Sequence, residues 1–173
     1  MTPSTAYTSL GTGWNQYDVL TSPGDISGDG RADLIARQSS TGDVYLYKAT
    51  STGKLSAKVK IASKWTGYKK IVGAGDLNGD GDGDLLAQDK SNELWRYDGT
   101  ATGKFKSRVK VFNDWGPSYN VIVGVGDITG DGRADIVSRD TFGTVWRNNG
   151  NGKGSFGGRT KIATGWQGYK GLF

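Results

Sequence analysis

The chain has 173 residues, with 22 Lys and Arg against 17 Asp and Glu, a net charge of +5, and neither Cys nor His. Their absence excludes disulfides, thiolate metal sites and every Ser-His or Cys-His nucleophile arrangement. No stretch is long and apolar enough to span a bilayer, and residues 1–4 lack the charged start and apolar run of a signal peptide. We therefore expect no membrane span and a chain that starts at a mature or trimmed end.

Taken in order, the predicted elements are short strands, with no helical periodicity anywhere. Residues 5–13 predict a lone outer strand. The next four predicted strands are joined by turns rich in Gly, Ser and Thr, and they lie at 19–24, 34–37, 44–47 and 55–61. This order recurs, so that 1–173 is predicted to be a single repeat array. The repeats and the start of a fourth lie at 14–64, 65–114, 115–165 and 166–173.

Equivalent positions recur at a nearly constant interval, since Asp25, Asp76 and Asp127 are each 51 residues apart. A four-stranded unit repeated at about this length is typical of a β-propeller blade. The predicted fold class is all-β, with three full blades of four antiparallel strands and a partial strand at each end. Because propellers usually need about four to eight blades, three should not close a ring. We expect either a homo-oligomer or further blades to complete it.

Two composition patterns indicate how the blades pack. The inner strands carry small residues that suit a crowded position near the axis, namely Gly73, Ala74, Gly75, Gly124 and Gly126. Large aromatics fall where one blade crosses to the next, and they are expected to fill the space between the sheets. These are Trp14, Trp65, Trp115 and Trp166, with Tyr17, Tyr68, Tyr119 and Tyr169.

A nonapeptide of the form Asp-x-(Ser/Asn/Thr)-Gly-Asp-Gly-x-x-Asp occurs at 25–33, 76–84 and 127–135. Side-chain oxygens at positions 1, 3, 5 and 9, with the carbonyl of position 7, are the ligands of a hard-cation loop, and their number favours Ca²⁺ over Mg²⁺. Glycine at position 6 is expected to supply the positive φ of the turn. The predicted ligands of three calcium sites are Asp25, Ser27, Asp29, Arg31 and Asp33; Asp76, Asn78, Asp80, Asp82 and Asp84; and Asp127, Thr129, Asp131, Arg133 and Asp135.

The alternative is a polar Asp/Gly turn between two strands, with no metal. Three copies in register count against it, because a turn gains nothing from further carboxylates that repel each other.

The loops also divide the charge unevenly. Nine of the 17 acidic residues stand at loop positions 1, 5 and 9, which leaves 8 against 22 Lys and Arg. With calcium bound, the remaining surface would be strongly basic and would attract anionic polymers such as wall polymers or acidic glycans. We do not expect nucleic acid as the partner. The alternative is a merely solvated surface on which Lys guards exposed strand edges.

A second aromatic set lies on the predicted third strands, at Tyr45, Trp95 and Trp146, and the two Trp are followed by Arg96 and Arg147. Trp beside Arg suits stacking on a sugar ring while bonding its hydroxyls or a charged substituent. The same residues suit packing between blades equally well, so both interpretations stay open.

The segments 24–34, 75–85 and 126–136 resemble the FG-GAP/VCBS repeat family, the integrin-α-like propeller blades common in secreted bacterial proteins. The resemblance covers nearly the whole chain. It implies a propeller, calcium at the Asp, Ser, Asn and Thr positions named above, and an extracellular location. The family mixes adhesion modules, lectins and accessory domains of secreted enzymes, so it implies no single function. Its members form larger closed rings, so a ligand site made between blades would need further blades or a partner chain.

The predicted function is a calcium-stabilised extracellular module that binds carbohydrate or cell-surface polymers through repeated weak sites. The alternative is a structural or assembly module without a ligand of its own. We do not predict an enzyme, because the carboxylate clusters are assigned to metal and no nucleophile setting is recognisable.

Overall fold

A computed structural model describes residues 6–172, and within this range the chain is all-β with twelve strands. The strands form three four-stranded antiparallel sheets, each in simple sequence order. The predicted fold class, three four-stranded antiparallel blades, is therefore confirmed. The strands are β1 (Tyr17–Gly24), β2 (Asp33–Gln38), β3 (Val44–Tyr47), β4 (Val59–Ala62), β5 (Tyr68–Gly75), β6 (Asp84–Asp89), β7 (Leu94–Tyr97), β8 (Val109–Phe112), β9 (Tyr119–Gly126), β10 (Asp135–Asp140), β11 (Val145–Gly150) and β12 (Phe156–Ala163).

The flanking segments differ from the prediction. Residues 6–13 and 169–172 form no strand within the described range, while Thr5 and Phe173 lie outside it. The physical reason is that a strand needs a hydrogen-bonded neighbour, and the described residues supply no further third strand to pair with 6–13 and no further second strand to pair with 169–172. Instead, one turn of 3₁₀ helix precedes the inner-strand position at Trp14–Gln16, Trp65–Gly67 and Trp166–Gly168.

The fourth strands of the first two blades are shorter than predicted, whereas β12 of the third blade begins at Phe156 as expected. In the first blade β4 covers Val59–Ala62, whereas the prediction began at Leu55. Leu55 makes an isolated antiparallel bridge with Ala49, and Phe105 makes the same bridge with Gly99 in the second blade. The chain therefore leaves and rejoins the ladder in each of these two blades.

The inner strands β1, β5 and β9 lie side by side, and their backbones approach closely at two glycines. A Cβ built on Gly73 would lie 2.0 Å from the Ser22 carbonyl oxygen, and one on Gly124 would lie 2.1 Å from the Gly73 carbonyl oxygen. No side chain fits at such distances. The predicted crowding near the axis is confirmed at these two positions.

The hydrophobic core is divided between the two contacts of neighbouring blades. In the first, Ile26, Ile35 and Leu46 pack with Tyr68 and Ile71. In the second, the equivalent layer is made by Leu77, Leu86, Leu94, Trp115, Ile122 and Ile136. Tyr68 and Trp115 are buried, which confirms the predicted filling between sheets at these two positions, whereas Trp166 and Tyr169 are exposed.

Buried polar side chains fix the crossing segments. Arg37 binds both carboxylate oxygens of Asp18 and donates Nη1 to the carbonyls of Trp65 and Tyr68. Arg139 donates in the same way to the carbonyls of Trp166 and Tyr169. Each arginine thus ties its own blade to the first residues of the next repeat. Over residues 6–172 the structure contains no helix long and apolar enough to cross a membrane.

Candidate functional site

The three Asp/Gly loops connect the first and second strands of each blade. Gly30, Gly81 and Gly132, at position 6, have φ values of 84°, 91° and 82°. This is the left-handed backbone conformation that the sequence predicts. Residues other than glycine adopt it only at an energetic cost. The tight turn is therefore built into the loops by their sequence.

The carboxylate at position 1 organises each loop. In the first loop, Asp25 accepts the amides of Gly28 and Gly30, each at 2.7 Å. Asp76 and Asp127 accept the equivalent amides of their loops at 2.7–2.8 Å. The Gly132 amide, followed by that of Gly130, lowers the pKa of Asp127. The Asp127 carboxylate is therefore held ionised within its loop.

The carboxylate at position 9 is buried and serves as an anchor. Asp33, Asp84 and Asp135 each accept the amide of the position 2 residue, at 2.8–3.1 Å. Asp84 and Asp135 also accept the amides of Gly99 and Gly150 from the end of the third strand. Burial raises the pKa of Asp84 to about 6, although its amide donors oppose the shift. Sequence reasoning missed this role, which ties the loop to the rest of its own blade.

The carboxylate at position 5 faces a cationic side chain in all three loops. The oxygen–nitrogen distances are 3.8 Å for Asp29 to Arg31, 3.6 Å for Asp80 to Lys106, and 3.9 Å for Asp131 to Arg133. Arg31 and Arg133 were expected to contribute only their carbonyls. Exposed pairs of this kind are weak, so a divalent ion could take their place.

The donor types of the loops fit a hard cation. Ser27 Oγ lies 3.5 Å from an oxygen of Asp25 and 3.4 Å from an oxygen of Asp33, so positions 1, 3 and 9 converge in the first loop. A carboxylate has about four lone-pair sites, so the amide bonds leave acceptors for an ion. Across residues 6–172, however, no three acidic side chains are gathered closely enough to hold a metal. Calcium therefore stays a prediction.

The second candidate site lies on the outer half of each blade. Tyr45, Trp95 and Trp146 occupy the same register position, opposite Ala36, Ala87 and Ser138 of the second strands. All three rings are half-buried. A cation on the fourth strand or directly before it covers each ring: Lys58 at 4.4 Å, Arg108 at 3.7 Å and Arg159 at 3.9 Å from the ring centroid. We call these three pairs the cation-capped aromatics.

Hydrogen bonds fix the two indole rings. Trp95 Nε1 donates to Asp89, and Trp146 Nε1 donates to Asp140, both at 2.9 Å. The two carboxylates also accept amides of the turn between the second and third strands, for example that of Thr144 on Asp140. Burial opposes ionisation of Asp140, but the Trp146 indole and the turn amides together lower its pKa. Each ring edge is therefore anchored while one face meets the cation.

The caps are tied to the inner strands as well. Arg108 Nη1 donates to the Tyr68 hydroxyl at 2.8 Å, and Arg159 Nη1 donates to the Tyr119 hydroxyl. Both arginines stay exposed. Their guanidinium groups are thus positioned between a ring face and a hydroxyl, with donors left over for a ligand.

The structure does not bring Arg96 and Arg147 beside the tryptophans that precede them, and their role in ligand binding stays a prediction. Successive side chains of a strand point to opposite faces, so neither arginine shares the face of the Trp before it. Arg96 binds Asp98 and donates to the Gly154 carbonyl in the third blade. Arg147 donates to Asn149 at 2.8 Å. Arg96 thus joins the second blade to the third, whereas Arg147 binds a residue of its own strand.

Sequence reasoning also missed the cations on the fourth strands and directly before them, although their recurrence was visible. They form what we call the basic row, consisting of Lys58, Lys60, Arg108, Lys110, Arg159 and Lys161. Acidic side chains form ion pairs with the basic row in two blades, where Lys60 lies 3.7 Å from Asp43 and Lys110 lies 2.7 Å from Glu93. In the third blade the equivalent position is Thr144. The row is therefore net positive.

A comparison with solved structures matches a lectin from Agrocybe aegerita, described as recognising non-reducing terminal N-acetylglucosamine specifically. The TM-score is 0.61 and the sequence identity 22%, and the match covers 84% of this chain and 39% of the lectin chain. At that identity the similarity shows the fold alone. A comparison with curated proteins found no match.

A family model described as FG-GAP-like repeat matches residues 25–87 and 85–138. The matched residues contain all three Asp/Gly loops and the whole second blade. They cover well over half of the chain, in agreement with the resemblance seen in its motifs. The chain therefore belongs to the FG-GAP-like repeat family.

Proposed function

We propose that the protein is an extracellular binding module for acidic carbohydrate polymers. The observation that carries the proposal is the recurrence of a cation-capped aromatic at the same place in three successive blades. A surface needed only for solubility has no reason to repeat this geometry. Repetition at a fixed interval instead suits a ligand that is itself a repeating chain.

The cap decides which sugars suit the site. A neutral sugar that stacks on Trp95 or Trp146 would have to displace the arginine that covers the ring. An acidic sugar can bind the guanidinium through its carboxylate or sulfate, by charge-assisted and bidentate hydrogen bonds, while the ring supports its apolar face. The arrangement therefore favours acidic over neutral carbohydrate.

Each site alone would be weak, because it is open and exposed. Three similar sites on one rigid array raise the effective concentration for a ligand long enough to span two of them. The basic row adds a salt-dependent attraction along the same outer strands. We therefore expect affinity to rise steeply with the length of the polymer.

Calcium has a stabilising role in this proposal. In the first loop it would be held by oxygens of Asp25, Ser27, Asp29 and Asp33 and by the Arg31 carbonyl, and in the other loops by the equivalent residues. The bound ion would neutralise the loop carboxylates and leave the basic row as the dominant charge. The loops supply no ligand contact of their own in this account.

A glycan array containing acidic and neutral polysaccharides, probed at low and high salt, tests the proposal. We expect binding to the acidic members only. Arg108→Gln and Arg159→Gln should each weaken it, whereas Lys54→Gln, which removes the same charge from an exposed turn, should change it little. Binding to neutral members alone, or equal losses in all three variants, would contradict the assignment of the site.

An assembly module is the second candidate function. The observation that favours it is that apolar side chains are exposed on the first and last blades, among them Leu20 and Ile128. Failure to bind any member of the array, combined with self-association, would support this alternative.

A further inference from the structure

The first and last blades each present one apolar face that no described residue covers fully. The leading face, on the first blade, is lined by Leu10, Trp14, Leu20, Leu34 and Leu55. The trailing face, on the third blade, is lined by Val125, Ile128, Val137, Val145 and Ile162. Exposed apolar surface of this kind marks a site of association.

Both faces repeat a surface that is buried inside the molecule. Ile128 is 50% exposed, whereas its equivalents Ile26 and Leu77 are 0% and 2% exposed, because the next blade covers them. On the opposite side, Leu20 is 52% exposed, whereas its equivalents Ile71 and Ile122 are 5% and 6% exposed. The trailing face therefore matches the side of a blade that receives the next one, and the leading face matches the side that docks.

The backbone repeats the same complementarity. The Gly103 amide donates to the Ile26 carbonyl at 2.6 Å, and the Gly154 amide donates to the Leu77 carbonyl at 2.7 Å. In the same series, the Ile128 carbonyl lies on the trailing face. Gly53 lies at the leading side of the first blade, where its amide donates to the Thr50 carbonyl of its own turn at 3.2 Å and would have to exchange that partner. The two ends thus carry the two halves of one more contact of this type.

We infer that a second copy of this chain docks its leading face on the trailing face, with Gly53 donating to the partner's Ile128 carbonyl. The same contact formed twice would close a ring of six blades, which is within the usual range for propellers. Each contact is heterologous, since different surfaces meet, and two of them close around a twofold axis. We expect both contacts between the copies to have the same geometry as the contacts between neighbouring blades within one chain.

One segment competes with docking. The Trp166 amide donates to the Gly143 carbonyl, as the Trp65 amide does to Gly42 and the Trp115 amide to Asn92. Residues 166–168 therefore hold, on the trailing face, the place that residues 14–16 of an arriving copy would take. One of the two equivalent segments must lift away. Trp166→Ala should consequently strengthen association, although it removes apolar surface.

Sedimentation equilibrium of the full chain over a wide concentration range tests the inference. We expect a concentration-dependent dimer. Leu20→Arg, on the leading face, and Ile128→Arg, on the trailing face, should each weaken dimerisation by more than about tenfold, because a charge would be buried at the contact. Val109→Arg is the matched control, because Val109 is similarly exposed but lies on the outer strand of the middle blade.

Mixing the two variants gives the sharpest result. A Leu20→Arg chain keeps an intact trailing face and an Ile128→Arg chain keeps an intact leading face, so a mixed dimer retains one native contact. We expect the mixture to associate more strongly than either variant alone, and the double variant to stay monomeric. A monomer at all concentrations would overturn the inference and would leave these faces to blades of a longer chain. A mixture no stronger than the single variants would also overturn it.

Discussion

At the residue scale, two glycines on the inner strands are fixed by the approach of a neighbouring backbone. Their small size could be predicted from their place on the inner strand, but the neighbouring carbonyl could not. The distance depends on how β1, β5 and β9 lie against one another, and sequence periodicity does not carry that information.

Gly124→Ala is expected to destabilise the protein by about 1–3 kcal/mol, because the added methyl group forces β5 and β9 apart. Thermal unfolding measures the effect. Gly158→Ala is the matched control, since its Cβ would have no described atom within 4 Å. Equal melting temperatures for the two variants would contradict the close packing of the inner strands.

Asp140 provides a test in which pH changes the result. Its folded pKa lies below the ordinary value of 3.8, so its stabilising effect is present above that pH and is lost as the pH falls through the folded pKa. Asp140→Asn places an amide nitrogen or a weaker acceptor opposite the Trp146 indole, so it should cost about 1–2 kcal/mol near neutral pH. We expect the difference from the native chain to shrink below pH 3.8, measured by denaturant unfolding. A difference that stays constant into the acid range would contradict this role.

At the element scale, the Asp/Gly loop is the unit that the sequence describes best. The positive φ at position 6 follows from glycine in a tight acidic turn, and the structure confirms it. The anchoring by position 9 could not be predicted, because the amides of Gly99 and Gly150 reach the loop from a distant part of the blade. The ion pair of Asp80 was equally hidden, since Lys106 is far from it in the sequence, whereas Asp29 and Asp131 pair with an arginine two residues away.

Calcium is expected to raise the melting temperature and a chelator to lower it. An ion bound only by the folded state stabilises it by about 2.7 kcal/mol per site at a hundredfold excess over its dissociation constant. Isothermal titration should show three sites, and Asp29→Ala, Asp80→Ala or Asp131→Ala should each remove one, because the loops lie on separate blades. Magnesium serves as the control ion. An unchanged melting curve in chelator would contradict the calcium prediction.

In the third and fourth strands, strand pairing determines which side chains become neighbours, and the order of residues in the sequence does not show this. The aromatic positions Tyr45, Trp95 and Trp146 could be identified from the repeat, but their partners could not be assigned by neighbourhood in the chain. Alternation along a strand turns Arg96 away from Trp95, and antiparallel pairing brings Arg108 over the ring. A search for basic residues at the repeat interval would have found Lys58, Arg108 and Arg159.

Trp95→Ala should weaken binding of an acidic oligosaccharide by about fivefold or more, because it removes the ring that supports both the sugar and the Arg108 guanidinium, at about 1–3 kcal/mol. Trp95→Phe should restore part of the affinity. Surface plasmon resonance measures both. Since Trp95 also donates to Asp89, the melting temperature of each variant must be recorded. Equal affinity of Trp95→Ala and the native chain would contradict a role for the ring.

At the scale of the whole molecule, the sequence predicts the three blades correctly but predicts flanking strands that the structure does not show. The outer strand expected at 5–13 and the inner strand expected within the start of the fourth repeat, 166–173, matched the repeat, yet their described residues form no strand. A repeat pattern predicts the strand that a segment would form if a partner strand lay beside it. Whether that partner strand is present is seen only in the structure.

The account depends on acidic polymers binding along the outer strands, and the dependence of that binding on salt tests it most directly. A uronic acid polysaccharide titrated at several salt concentrations should bind tightly at low salt, with a logarithmic affinity that falls linearly with the logarithm of salt. The slope should decrease when Arg108 and Arg159 are both replaced by Gln, and a neutral polysaccharide of equal length should not bind. Affinity that is independent of salt, or equal affinity for the neutral polysaccharide, would contradict the account.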